Sequence, residues 1–295
     1  MAKTGNLSAV LQGANNQHMT DVPIPEPEYG GDLVATEPGI SCFQCKKCKA
    51  GRYNLCPLLQ EITFKYVGGL TRYAKHAADL CYKLPDNISD EEGALIEPLA
   101  CAVNACKRAE IGMGDTVLVY GSGSMGLLCM VAAFASGATT VLVTGRSYEK
   151  LNIAKKAGAS YTLKIGGKSP KEAAAAIEDI LGGPADVAME CTGVPSCVST
   201  AIYATTRGGN VAMVGIGDPV LEVPLGTAAM KEVDIRGVLR YCHDDFTTAV
   251  SLVASGKANV KPFITHRFPL EKSLEALQTK ASGVAVKVMV RCAED

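Results

Sequence analysis

The chain carries almost no net charge and no tryptophan: 29 basic side chains stand against 30 acidic ones in 295 residues, and 5% of residues are aromatic. Without a surplus of cations there is nothing to neutralise a run of phosphates or to hold an anionic lipid surface. Nucleic acid and membrane are thereby excluded as general partners. Histidine is scarce too, with four in the sequence. The start, MAKTGNLSAVLQGANNQ, has no basic segment followed by a long apolar stretch, so the expected compartment is the cytoplasm. A 47% hydrophobic fraction, with a length suited to about two domains, excludes disorder, collagen and a disulfide scaffold. Cysteine is what the chain has in excess, twelve in all. In a reducing compartment clustered thiols point to metal and scattered ones to packing. Cys81, Cys101, Cys106, Cys129, Cys191, Cys197, Cys242 and Cys292 are scattered and read as small buried hydrophobes.

Charge is also missing locally. From Thr116 to Gly145 there is no charged residue, a run longer than the about 20 residues of a membrane helix. Glycines at 121, 123, 126, 137 and 145 interrupt it, and β-branched clusters sit at 116–120 and 139–143, so the run reads as strand, turn, helix, strand. The alternation continues with helices at Tyr148–Ala157 and Lys171–Leu181 and strands at Val187–Glu190, Asn210–Val214 and Val233–Val238. This is the pattern of an α/β, doubly wound parallel sheet. The end of the chain reads as helix, strand, helix and strand.

Gly121-Ser-Gly123-Ser-Met-Gly126 follows the first strand and opens the helix, the context of a dinucleotide fingerprint. Gly121 allows the turn, Gly123 lets backbone approach a pyrophosphate, Gly126 lets the helix pack on the strand, and free N–H groups at the helix start face the phosphates. At the end of the second strand an NAD-binding chain usually places an acidic side chain on the ribose hydroxyls. Here stands Gly145-Arg146-Ser147, with Lys150 one helical turn on. The missing carboxylate removes repulsion against a 2′-phosphate and the cations add donors, so NADP(H) is expected over NAD(H). Under the competing reading Arg146 is a solvated loop residue and NAD still binds.

Cys42, Cys45, Cys48 and Cys56 form C-x2-C-x2-C-x7-C, whose short spacers let thiolates wrap one tetrahedral ion. Four thiolates close the site, so a structural zinc lobe at 42–56 is expected, its negative charge offset by Lys46, Lys47, Lys49 and Arg52.

The zinc lobe with GRYNLC, CYKLPDN at 81–87, EEGALIEPL at 91–99, ECTG at 190–193, EVDIRGVLRYC at 232–242 and NVKPFITHRFPLEKSLEA at 259–276 together resemble the zinc-dependent polyol dehydrogenases of the medium-chain dehydrogenase family, over nearly the whole chain. The Gly-Arg-Ser end is similar to that of its NADP-linked ketose reductases. The resemblance implies a Rossmann domain at 98–238 and a truncated GroES-like, β-rich catalytic domain at 1–97 and 239–295. It also implies hydride transfer between a polyol and the nicotinamide ring, with a ketose as product or substrate, and a homotetramer. Glu97 matches the family glutamate that contacts the zinc-bound water and substrate, and Arg240 and Tyr241 match the polyol-binding pair. Met125, Lys150, Val214, Gly215, Ile216, Val238, Leu239 and Arg240 fall where the family contacts its cofactor.

The same resemblance makes one absence informative. In the family the catalytic zinc is held by a cysteine in a Gly-Ile-Cys-Gly-like turn and by a Gly-His-Glu triplet, both before the structural lobe. Here PIPEPEYGG at 23–31 passes straight into DLVATEPG at 32–39, as if roughly sixty residues were missing. His18, His76, His243 and His266 have no neighbour at ligand spacing, and the 57–67 loop departs from the family segment that lines the substrate pocket. Two readings follow: a polyol dehydrogenase severely impaired in this chain, or a catalytically silent NADP(H)-binding isoform or incomplete gene product.

Overall fold

The structure is a computed structural model that describes residues 5–13, 16–22, 33–61 and 69–293. The junction at 23–32 and residues 62–67 of the 57–67 loop lie outside the described residues. The chain divides into two compact units, one of Met1–Glu97 with Ile264–Asp295 and one of Pro98–Phe263. Residues 239–263 are tied into the second unit by side chains of its first helix. Asn104 Nδ2 donates to the Arg240 carbonyl at 2.8 Å, and Lys107 Nζ pairs with Asp245 at 2.7 Å.

The first unit is built from short, mostly antiparallel pairings. β1 (Asn6–Gly13) pairs with β2 (Asn16–Val22), β3 (Val34–Thr36) with β6 (Cys81–Lys83), and β4 (Gly39–Ile40) with β5 (Gln60–Glu61). Strands Ile264–Pro269 and Lys287–Arg291 run parallel, joined through the helix Ser273–Ala281, as crossover geometry requires. Arg267 grips Glu91 with two N–H donors at 2.5 and 2.8 Å, tying 264–269 to the segment before Glu97.

The second unit carries a six-stranded parallel sheet in the order β12-β11-β10-β7-β8-β9. The strands are β7 (Thr116–Tyr120), β8 (Thr140–Gly145), β9 (Tyr161–Lys164), β10 (Ala185–Glu190), β11 (Thr205–Met213) and β12 (Asp234–Gly237). Order reverses beside β7, where a doubly wound sheet opens a crevice at its carboxyl edge. Val117–Val119 and Val141–Val143 are wholly buried, as expected of strands covered on both faces. The helix Ser124–Ser136 buries eight consecutive residues, Gly126–Ala133, so it is a central helix apolar on every side. The uncharged run is thus core, and among the described residues no helix is long and apolar enough to cross a membrane.

Of the eight scattered cysteines only Cys106 and Cys129 are fully buried. The other six are half-buried because they sit where core gives way to surface: Cys191 in the turn after β10, Cys197 in the first turn of helix Pro195–Ala204, Cys242 in the loop before helix Asp245–Ala254. In Cys106 burial pushes the thiol up to about 12, leaving a small apolar side chain without nucleophilic character at neutral pH.

Candidate dinucleotide and metal sites

At the mouth of the crevice, Gly121 takes φ +119 and its N–H donates to the Thr144 carbonyl at 3.1 Å, fastening the turn to β8. Gly123 caps the helix Ser124–Ser136, and a side chain there would meet no protein atom within 4 Å. The turn is therefore open where a phosphate would approach the helix N-terminus. A Cβ at Gly126 would fall 1.8 Å from the Gly121 carbonyl oxygen, so helix and turn touch backbone to backbone. Met125 is half-buried beside it.

Beyond β8 the chain turns into the helix Tyr148–Lys156. Arg146 is exposed and Lys150 half-buried. Lys164 lies 3.9 Å from the centre of the Tyr148 ring and adds a third cation. Ser147 already has local tasks: its hydroxyl accepts the Lys150 N–H at 3.3 Å and donates to Glu149. That bond from Ser147 holds the Glu149 carboxyl below its ordinary range, with Lys164 acting in the same direction. The β8 end thus presents three cations against one carboxylate, a surplus suited to a phosphomonoester.

The other candidate cofactor contacts lie on loops held by groups that sequence reasoning missed. Glu190, wholly buried, accepts the Thr192 N–H at 2.8 Å, the Gly193 N–H at 2.9 Å and the Thr192 hydroxyl. Its carbonyl takes the N–H groups of Val214 and Gly215, both at 2.8 Å. Val214 and Gly215 are half-buried and Ile216 is 91% exposed. Val238 donates to Met213 at 3.1 Å, continuing the β12 pairing, and Leu239 is exposed. Asn104 receives 239–240 from below, and Asp245 accepts the Cys242 N–H at 2.7 Å, so the loop is clamped at both ends of a left-handed Arg240, φ +52. Arg240 is half-buried, whereas Tyr241 is 2% exposed, its ring edge-on to Phe246 at 4.8 Å between centroids.

The metal lobe belongs to the first unit. The Sγ atoms of Cys42, Cys45, Cys48 and Cys56 all lie within 4.8 Å of one another, with Cys42–Cys48 at 3.9 Å and Cys45–Cys48 at 3.5 Å. A tetrahedral zinc with Zn–S of about 2.3 Å sets sulfurs about 3.8 Å apart, so the four fit that ion. Backbone N–H groups of Cys45, Cys48 and Leu58 point at Cys42, Cys45 and Cys56 sulfurs at 3.3–3.5 Å, as suits thiolates. As bare thiols Cys42 and Cys48 differ: N–H groups of Gln44 and Cys45 bring Cys42 down to about 6, while burial and neighbouring thiols push Cys48 up to about 12. A divalent cation is what allows all four to ionise together. Tyr53, within the lobe, and Tyr82 on β6 both donate to the buried Glu37 carboxylate, at 2.9 and 2.6 Å, which anchors the lobe to the strands.

Glu97 is half-buried in the first turn of helix Ile96–Ala109, in the unit that holds the lobe. Lys287 lies near it. Burial pulls the Lys287 ammonium below its ordinary range, with the Glu97 carboxylate opposing. Among the described residues, the four lobe cysteines form the group of three or more side chains able to share a metal. His76 Nε2 is bonded to the Glu37 carbonyl at 2.8 Å, His266 Nδ1 to Thr265 at 2.9 Å, and His243 Nε2 lies 3.3 Å from Asp244. These residues do not fit a second zinc with three protein ligands. The side chain of His18 lies outside the described residues.

The class that this geometry defines is a dinucleotide-dependent oxidoreductase with a four-cysteine lobe fit for zinc. Residues 124–255 match the zinc-binding dehydrogenase family and residues 28–86 the alcohol dehydrogenase GroES-like domain, and the chain belongs to the zinc-dependent medium-chain dehydrogenases. It is 48% identical to the sorbitol dehydrogenase of Gallus gallus over 263 residues, 89% of this chain and 74% of that protein. It is 40% identical to the sorbitol dehydrogenase of Homo sapiens over 347 aligned positions, covering 99% of this chain and 97% of that one. An alignment of 347 positions against 295 residues leaves at least 52 filled only in the relative. Among solved structures, a zinc-binding dehydrogenase of Sinorhizobium meliloti 1021 bound to NADP superposes with a TM-score of 0.89 at 26% identity, over 97% of this chain and 99% of that one.

Proposed function

We propose that this chain is an NADP(H)-binding member of the polyol dehydrogenase and ketose reductase group whose own turnover is severely reduced. The observation that carries the cofactor choice is the β8 end, where Gly145 offers no carboxylate and Arg146, Lys150 and Lys164 surround the turn. The substrate class, a polyol or its ketose, rests on the sorbitol dehydrogenase relatives. A nicotinamide dinucleotide bound there supplies hydride acceptance or donation. Gly121, Gly123 and Gly126 seat its pyrophosphate, Arg146, Ser147 and Lys150 its ribose phosphate, and Met125, Val214–Ile216 and Val238–Arg240 its remaining length. Glu97 in one unit and Arg240 in the other are each assigned to the polyol by the family resemblance alone, and Tyr241 fixes the Arg240 loop from the core side. The cysteine lobe holds a structural zinc. We place the protein in the cytoplasm as a homotetramer, which sedimentation analysis tests.

Impairment is supported by the positions present only in the relative and by the donor set, which gathers no second zinc site among the described residues. The same two observations favour a second reading, a silent dinucleotide-binding isoform. Fluorescence titration is expected to give a lower dissociation constant for NADPH than for NADH, and a preference for NADH refutes the cofactor assignment. Elemental analysis is expected to give about one zinc per chain, and about two would restore a catalytic site. With sorbitol and NADP⁺, turnover within the ordinary range of about 1–10³ per second would refute impairment, while measurable but slow turnover separates the first reading from the silent one.

A further inference from the structure

Arg240 stands in the left-handed region at φ +52, a conformation that a residue with a side chain keeps only where its surroundings over-determine it. Asn104 supplies such a constraint. It is 3% exposed on helix Ile96–Ala109, and its Nδ2 group donates to the Leu239 carbonyl at 3.4 Å and to the Arg240 carbonyl at 2.8 Å. Those carbonyls belong to the two planar peptide groups that flank the Arg240 Cα, so one amide orients both and with them the direction in which the Arg240 side chain leaves the chain. On its other side the amide accepts the Cys242 thiol at 3.7 Å through Oδ1. The base of this grip is rigid, since Arg108 Nε donates to the Gly237 carbonyl at 3.3 Å and Asn210 to the Ala109 carbonyl at 3.1 Å, fastening the end of the helix to β12 and β11. Lys107, three residues along the same helix face, acts further on, through Asp245. The packing of Tyr241 on Phe246 holds the chain after Arg240 but does not orient the peptide group before it.

We propose that Asn104 is a positioning residue for the dinucleotide site: by gripping both peptide groups of Arg240 it holds that residue left-handed and aims its side chain at the bound cofactor. This deepens the NADP(H)-binding reading and rests on its assignment of Val238–Arg240 to the cofactor. Asn104 acts only through Arg240, because both hydrogens of its amide are taken within the protein. An apolar side chain of the same shape keeps the packing and loses the grip. Arg240 then relaxes toward the commoner backbone conformations, and its side chain is no longer aimed.

The test is a double-mutant cycle on wild type, Asn104→Leu, Arg240→Ala and the double variant, read by fluorescence titration with NADPH. Asn104→Leu matches the shape of asparagine without its donors. Each single variant is expected to raise the NADPH dissociation constant about tenfold, the effect of one hydrogen bond from a charged group. In the double variant the constant is expected to stay within about twofold of Arg240→Ala, because a positioning residue then has nothing left to aim. A residue that only stabilises the fold weakens binding by the same factor in both backgrounds, and that additive result overturns the inference. Asn104→Leu binding NADPH as tightly as wild type overturns it too. Arg240→Ala binding NADPH as tightly as wild type overturns instead the reading on which the inference rests. Should Asn104→Leu fail to fold, Asn104→Ala, which admits water to the two carbonyls, is carried through the same cycle with the same outcomes.

Discussion

Replacing Glu190 by glutamine isolates what a buried carboxylate does at the carboxyl edge of the sheet. The substitution keeps shape and volume, so packing around the wholly buried side chain is unchanged and only charge and acceptor capacity differ. One oxygen accepts the Thr192 N–H at 2.8 Å and the Thr192 hydroxyl, and the other accepts the Gly193 N–H at 2.9 Å. An amide supplies one oxygen, so whichever way it turns, at least one buried N–H faces an NH₂ group. An unsatisfied buried donor costs about 1–3 kcal/mol, and the remaining bonds lose their charge assistance, giving a total of about 2–4 kcal/mol. Against this stands relief from burying an ion. The loss wins because the donors are backbone groups that stay buried in the variant. For a unit of this size the midpoint is expected to fall by about 5–15 °C in a thermal unfolding experiment. NADPH should also bind more weakly, since a Cβ placed on Gly121 would come within 3.0 Å of Thr192, so the turn Glu190 holds lies directly against the glycine-rich turn. A midpoint within about 1 °C of wild type would show that the ion's burial cancels its three bonds, and the reasoning would fail.

Three further outcomes are expected. Gly126→Ala drives a methyl into the Gly121 carbonyl, a backbone atom that cannot yield cheaply, and should cost about 3 kcal/mol or more in denaturant unfolding together with NADPH binding. Cys56→Ser should abolish the zinc measured by elemental analysis and expose the lobe to limited proteolysis, because a closed thiolate site orders its own loop. Lys287→Met should be more stable than wild type at pH 7. Burial lowers the Lys287 pKa, so the unfolded state binds the extra proton and the penalty is complete below the folded pKa. As pH rises through that value toward 10.5 the penalty is relieved, so the gap between the two thermal midpoints should narrow; a gap that widens with pH contradicts the sign.

The parts legible in the sequence were those with a local signature. The uncharged run resolved into strand, turn, helix and strand because its glycines and β-branched residues alternate, and the four cysteines were readable because their spacers are short. β9, a four-residue edge strand, and helix Pro195–Ala204 were not anticipated. The strand has no buried residue to mark it, and the helix is rich in Val, Ser, Thr, Ile and Tyr, whose propensity for helix is poor. The attachment of residues 239–263 to the second unit was illegible for the same reason. Asn104 and Lys107 hold residues 135–138 positions away, and no pattern in the sequence reports a bond of that length.

The bonds that shape the dinucleotide unit are internal to it. Thr116 N–H is held by Asp186 at 2.9 Å, Asn210 reaches the Ala109 carbonyl at 3.1 Å, Arg236 reaches the Arg108 carbonyl at 3.1 Å, and the Asn104, Lys107 and Glu190 contacts close the loops. Each of these has both partners within 98–263. None of them draws on the other unit, so nucleotide binding is expected to separate from turnover. Binding is linked to folding independently of any reaction: at a hundred times its dissociation constant a ligand adds about 2.7 kcal/mol to the stability of what it binds. A thermal shift with NADPH is thus expected whether or not the chain turns over a polyol, and loss of the shift in a variant altered only in the other unit would mean that the two units depend on each other for folding.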